Sequence, residues 1–340
     1  MEHWELPLAL TLGDPAGIGP DITLLAWQSR ARDRIPPFAL LGDPGVLADR
    51  AVALGFDVPI EAVERIEAAP ACFALALPVL PVPVAGSVVP GRPSQIASAA
   101  IMESIERAVG LVRGGTARAV VTNPIAKSVL YGAGFPFPGH TEYLASLAAA
   151  TGQAPHPVML LASPELKVVP VTIHVPLNDV ASLLTKELIL ATIAITARDL
   201  GRYFGIKRPR LAVTGLNPHA GEDGSLGREE SEIIAPAIEA ARASGIDVTG
   251  PHPADTLFHA KARRTYDCAI CMYHDQALVP FKTLAFEEGV NVTLGLPFVR
   301  TSPDHGTAFS IAGTGAANPK SLIEALKLAA AMSASTGAPA

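Results

Sequence analysis

Short apolar runs alternate along this chain with longer stretches in which apolar residues recur every three or four positions. The runs PLALTLG (7–13), FALLGD (38–43), RAVVTNP (118–124), KVVPVTIH (167–174), RLAVTGLNP (210–218), CAICMYH (268–274) and VNVTLGL (290–296) predict strands. Between them, 94–115, 141–152, 185–205, 228–245 and 321–335 carry helical spacing, most with Gly at or near an end. Strand and helix alternating from end to end predict an α/β fold around a largely parallel sheet. The opening segment places acidic residues ahead of a short apolar stretch, so it reads as a first strand rather than a leader. The uncharged run 68–91 is long enough to cross a bilayer, but Pro70, Pro78, Pro81, Pro83 and Pro90 interrupt it, and it reads as strand and connector.

Composition narrows the function classes. With 340 residues, 49% apolar and 17% charged, the chain can bury cores in about two domains. A net charge of −6 gives no long-range pull toward phosphate backbones or anionic lipid, so neither nucleic acid nor membrane is an expected partner. An anionic ligand must be held by a few local cations. Three cysteines are too few for a disulfide framework and fit a reducing cytoplasm. Cys268 and Cys271 have C-x-x-C spacing, but they sit in an apolar run that reads as a buried strand.

Three predicted strands end in, or run shortly into, a histidine: His174, His219 and His274. In open α/β sheets ligands bind outside the carboxyl ends of strands, so the three imidazoles are expected to converge at one edge. Three imidazoles with an open position make a catalytic metal site of the zinc type, and His252 is a weaker fourth candidate. In PFPGHTEYL, His140 and Thr141 open a helix whose free N–H groups suit a phosphate or carboxylate; capping by Thr141 is the plainer alternative. Lys282 and Arg300 are cations beside apolar runs, with Asn291 between them. No phosphate-binding G-x-x-x-x-G-K-[ST], dinucleotide G-x-G-x-x-G or G-x-S-x-G elbow occurs in the context each requires.

The strings GDPAGIGPD (13–21), GHTE (139–142), GLNPHAGE (215–222), PADTLF (253–258), MYHDQ (272–276) and GVNVTLGLPFVRTSPDHGTAFSIAG (289–313) resemble the 4-hydroxythreonine-4-phosphate dehydrogenase family over about residues 8–330. HGTAFSIAGTGAANP (305–319) also resembles the cofactor loop of isocitrate and isopropylmalate dehydrogenases, departing from it at Phe309 and Ser310. The resemblance implies an isocitrate/isopropylmalate dehydrogenase-like fold of two α/β domains with a cleft. The outer domain is expected at 1–128 plus 292–340 and carries the cofactor loop, and the central domain at 129–291 carries the metal ligands and a dimer interface. It implies metal ligands at His174, His219 and His274, shared across a homodimer, and one divalent ion, zinc, with cobalt or magnesium as alternatives. Substrate contacts fall on His140, Thr141, Lys282, Asn291 and Arg300. NAD or NADP contacts fall on His305, Gly306, Thr307, Ala308 and Asn318. The implied reaction is oxidation of 4-(phosphooxy)-L-threonine and decarboxylation of the product, in pyridoxal phosphate biosynthesis. The proton acceptor stays open between Asp255 and Lys282. Related phosphorylated hydroxy acids, 4-phosphothreonate or 4-phosphoerythronate, are the nearest alternative substrates. A non-redox metal hydrolase or acyltransferase is the alternative of another class, against which the cofactor-loop string argues.

Overall fold

The computed structural model describes residues 6–137, 139–149 and 154–335. The chain forms two compact units, Met1–Pro157 with Leu296–Ala340, and Val158–Gly295. With strands numbered along the chain, the first unit holds β1 (Leu8–Thr11), β2 (Phe38–Gly42), β3 (Ile60–Ala62), β4 (Leu77–Pro81), β5 (Val120–Thr122) and β12 (Arg300–Pro303). They lie in the order β3-β4-β2-β1-β5-β12, and every pairing is parallel. Strand β1 is the switch point: the chain leaves it toward β2 on one side and returns to β5 on the other. A crevice is therefore expected beyond the carboxyl ends of β1 and β5.

The helix Ser98–Arg113 buries Ala100, Ile101, Ser104, Ile105, Ala108 and Val109, the stripe its sequence spacing predicts. The buried hydroxyl of Ser104 is satisfied at the sheet edge, where its Oγ donates to Leu41 O (2.7 Å) and accepts from Leu12 N (2.9 Å). The helix His140–Ala148 sends Tyr143, Leu144, Ala145 and Ala148 into that same core, and Tyr143 OH donates to Glu106 Oε1 at 2.6 Å. Shared packing thus assigns His140 and Thr141 to the first unit, whereas the sequence reading grouped 129–157 with the central domain.

The second unit holds β6 (Val158–Ala162), β7 (Lys167–Pro170), β8 (Leu211–Thr214), β9 (Val248–His252), β10 (Cys268–Cys271) and β11 (Val290–Leu294), in the order β11-β6-β7-β10-β8-β9. The pairings β11–β6 and β6–β7 are antiparallel and the rest parallel, so the sheet here is mixed. Strand β10 is fully buried, with Cys268 and Cys271 as free thiols inside it, as its apolar run predicts. Burial pushes the Cys268 thiol up to about 12 and Cys271 well above its usual value, which makes both inert as nucleophiles. The long helix Lys186–Phe204 begins at Thr185, whose hydroxyl accepts from Leu188 N, and stops at left-handed Gly205. Two strands end earlier than the runs that predicted them. The strand in KVVPVTIH stops at Pro170 and that in CAICMYH at Cys271, so His174 lies in a loop and His274 opens a helix, His274–Ala285. The run 68–91 holds β4 and its connector, but Ala69–Cys72 is a helical turn. No single described helix is long and apolar enough to cross a bilayer. The sequence after Ser335, TGAPA, predicts a frayed end, and these residues, 336–340, lie outside the described ones.

Candidate functional site

In the first unit, GDPAGIGPD folds as a turn directly after β1. Gly13 has φ +68°, and a Cβ there would lie 2.6 Å from Asn123 Cβ and 2.7 Å from Pro124 O, so only glycine lets this turn close on the end of β5. Asp14 N donates to Pro124 O (2.8 Å), and Ile18 N to Thr307 O (2.9 Å). Arg50, from the helix Pro44–Leu54, is buried here. Its guanidinium donates to Gly17 O (3.1 Å) and Pro15 O (2.9 Å) and pairs with the equally buried Asp21. Asp21 in turn accepts from Gly313 N at 2.7 Å. The turn after β1 and the loop 305–313 are therefore one assembly, held backbone to backbone and pinned by one buried ion pair.

The five residues expected at the cofactor fall on this assembly or just beyond it. Thr307 carries the carbonyl that receives Ile18, and Ala308 is left-handed (φ 42°). The ring Nδ1 of His305 lies 3.1 Å from Gly306 O. A side chain at Gly306 would meet nothing within 4 Å, so the backbone is open there. Asn318 differs in kind: its Oδ1 accepts from Lys320 N (3.0 Å) at the start of the helix Lys320–Ser335, a structural duty.

His140 is the first residue of its helix, behind Gly139, and Thr141 makes no capping bond there. The Nε2 atom of His140 is buried with no hydrogen-bond partner among the described residues. Burial, then the positive charges of Arg300 and Lys127, hold its pKa well below the usual 6.5, so the ring is neutral near neutral pH. Arg300 opens β12, is buried, and donates from Nη2 to Thr122 Oγ1 at 2.6 Å. Burial lowers its pKa to about 10, which leaves it a cation at neutral pH. Sequence reasoning missed Lys127, the first residue of the helix Lys127–Gly132, although it lies just past the end of β5. A Cβ on Gly139 would lie 3.0 Å from its Nζ. A neutral imidazole with an unused nitrogen beside two cations is an anion-binding arrangement.

In the second unit, β7, β10 and β8 are parallel neighbours, and each expected metal ligand follows the carboxyl end of one of them. The rings of His174 and His274 stand 5.7 Å apart, centroid to centroid, on a cavity of about 300 Å³ also lined by Tyr273 and Asp275. Asp275 Oδ1 lies 2.7 Å from His274 Nδ1, which orients the ring and leaves Nε2 for a ligand. His219 is exposed on the loop after β8. Among the described residues of one chain no three His, Cys, Asp or Glu side chains form a group able to hold a metal. The expected convergence of all three imidazoles is thus seen within the chain for two of them. His252 spends its Nε2 on Thr249 Oγ1 at 2.8 Å.

Gln276, also missed, ties these strand ends together. Its Oε1 accepts from Thr214 Oγ1 (2.7 Å) and Met272 N (2.7 Å), and its Nε2 donates to Gly215 O (2.8 Å). The signal was present in MYHDQ, two residues beyond a candidate ligand. Lys282 lies two turns along the helix from His274, with its Nζ 5.3 Å from the Phe286 ring centroid. Asn291 is half-buried on β11, and Asp255 is exposed on the short helix Ala254–Leu257.

The profile of the pyridoxal phosphate biosynthetic protein PdxA family matches residues 34–329. A 4-hydroxythreonine-4-phosphate dehydrogenase of Bradyrhizobium diazoefficiens is 60% identical over 98% of both chains. The enzyme of that name from Caulobacter vibrioides is 53% identical over 97% of this chain and 98% of its own. The crystal structure of the Klebsiella pneumoniae enzyme superposes with a TM-score of 0.85 at 37% identity, covering 96% of this chain and 98% of that one. A branched-chain phosphotransacylase from Enterococcus faecalis shares the fold at TM-score 0.54 and only 10% identity, so the fold alone does not set the chemistry. By the extent of its match to the family profile and its identity to these enzymes, the chain belongs to the pyridoxal phosphate biosynthetic protein PdxA family.

Proposed function

We propose that this chain is a 4-hydroxythreonine-4-phosphate dehydrogenase, oxidising the C3 hydroxyl of 4-(phosphooxy)-L-threonine with NAD or NADP. The β-keto acid formed then loses carbon dioxide to give 3-amino-2-oxopropyl phosphate. The observation that carries the reading is the neutral His140 beside buried Arg300, on a chain 60% identical to an enzyme of that name. An overall charge of −6 repels a phosphorylated amino acid, so recognition must be local.

Arg300, fixed by Thr122, presents a planar fork to one anionic group, and Lys127 adds a point charge. His140 and Thr141 offer hydrogen bonds at the start of their helix, and Asn291 and Lys282 serve the rest of the substrate. His174, His219 and His274 would hold one divalent ion. The donor set fits, since all are imidazoles and His274 is already oriented by Asp275. Such nitrogen ligands favour zinc or cobalt over magnesium, which prefers oxygen. When bound, the ion supplies a Lewis acid for the substrate oxygen and the nicotinamide supplies the hydride acceptor. We place the set across a homodimer, with His219 and His274 reaching one ion from different subunits, because among the described residues of one chain no three such side chains form a group able to hold a metal.

His305, Gly306, Thr307 and Ala308 would meet the dinucleotide along the open backbone at Gly306. Lys282 takes the hydroxyl proton in preference to the exposed Asp255, since it shares the helix that begins with His274. Two buried free thiols on β10 support a reducing, cytoplasmic setting. The reading is tested by offering the enzyme NAD or NADP with 4-(phosphooxy)-L-threonine, 4-phosphothreonate and 4-phosphoerythronate in turn. The first should be turned over with the highest kcat/KM, and a preference for either of the others would overturn the substrate assignment.

A further inference from the structure

The backbone that carries His219 is costly. His219, Ala220, Gly221, Glu222 and Asp223 have φ of 54°, 52°, 81°, 42° and 55°, a run of left-handed residues of which only one is glycine. Each non-glycine residue there sets its Cβ against the following carbonyl oxygen, so the turn persists only if its surroundings hold it.

The surroundings centre on one carboxylate. Glu230 is buried and opens a π-helical turn, Glu230–Ile234, just ahead of the helix Ala235–Ala243. Such turns break the ordinary helical register and recur at functional sites. Glu230 Oε1 accepts from Leu216 N (2.8 Å) and Asn217 N (2.7 Å), and Oε2 accepts from Asn217 Nδ2 (3.0 Å). The same amide donates to Glu229 Oε2 at 2.7 Å. The turn closes tightly over the carboxylate: a Cβ on Gly221 would lie 2.5 Å from Oε2, and one on Gly215 3.0 Å from Oε1. Leu226 N returns to Gly221 O at 3.0 Å and completes the loop. On the other side of Gly215, its carbonyl is held by Gln276, two residues from His274. The loop is therefore tethered at both ends of its left-handed run.

We propose that Glu230 is a positioning residue for His219: its carboxylate is the anchor on which the left-handed turn folds, and so it sets where that imidazole is presented to a divalent ion. The inference rests on the metal reading above. A carboxylate is required because all three groups facing it are N–H donors. The isosteric amide would turn one of its acceptors into a fourth donor and lose at least one bond.

The test uses full-length Glu230→Gln and, as a second way to disturb the same contact, Gly221→Ala. Two readouts are taken: hydrogen exchange across 215–226, and titration with Co²⁺ followed by its visible absorption. Both variants should exchange faster over 216–222 while the helix 186–204 keeps its protection. Both should bind Co²⁺ about 10–100-fold more weakly, with an altered absorption band. Unchanged exchange, or faster exchange with wild-type Co²⁺ affinity, overturns the role of Glu230 and leaves the metal reading standing. A wild type that takes up no Co²⁺ overturns the metal reading itself, and the assignment of Glu230 falls with it.

Discussion

His140 shows how far a single residue could be read before its surroundings were known. Its place at a helix start after a Pro/Gly-rich loop was legible in PFPGHTEYL. Its neutrality was not, because that comes from burial and from Arg300 and Lys127, both distant in sequence. The depressed pKa has a consequence for stability. Between the usual 6.5 and the lower folded value, the unfolded chain binds a proton that the folded chain refuses, so this contribution is complete above 6.5 and is lost as pH falls. His140→Asn removes that proton acceptor. In thermal melts between about pH 8 and pH 5, the variant should lose less stability on acidification than the wild type. Parallel curves would show that His140 is protonated in the folded state as readily as in the unfolded one.

At the scale of elements, apolar strands and amphipathic helices were legible because each is fixed by local periodicity. Of the strands first recognised in the structure, β12, RTSP, is buried yet polar in sequence, β9, VTGPH, carries Gly and Pro, and β3, IEA, is only three residues long, whereas β6, VMLLA, is an apolar run that the sequence reading passed over. The reach of GDPAGIGPD into the loop 305–313 was equally hidden, since it runs from Ile18 N to Thr307 O and from Gly313 N to Asp21, and Asp21 is paired with Arg50, a residue with no signature of its own. That pair allows a sharp prediction. Arg50→Met strands the buried Asp21 carboxylate without its cation and should cost about 3–5 kcal/mol in urea unfolding. Adding Asp21→Leu should restore part of the loss, because the uncompensated buried charge is then gone. Equal stability of the single and double variants would mean that the carboxylate finds another partner.

For the molecule as a whole, the α/β architecture and a discontinuous first unit follow from the sequence pattern and the family resemblance. The assignment of 129–157 did not follow, because which core a helix joins is decided by tertiary packing, here Tyr143 and Leu144 against the helix Ser98–Arg113. The histidine set shows the same division. Chain order placed each proposed ligand at or just beyond the end of a strand, but only the structure shows that the three strands are neighbours, that two imidazoles pair and that the third rides a strained turn. The central claim is an oxidation coupled to loss of carbon dioxide from one phosphorylated amino acid, and the stoichiometry of that reaction tests it most directly. With 4-(phosphooxy)-L-threonine and excess NAD or NADP, reduced nicotinamide and released carbon dioxide should appear in equal amounts. Carbon dioxide release without nicotinamide reduction, or no turnover of this substrate under either cofactor, would contradict the account.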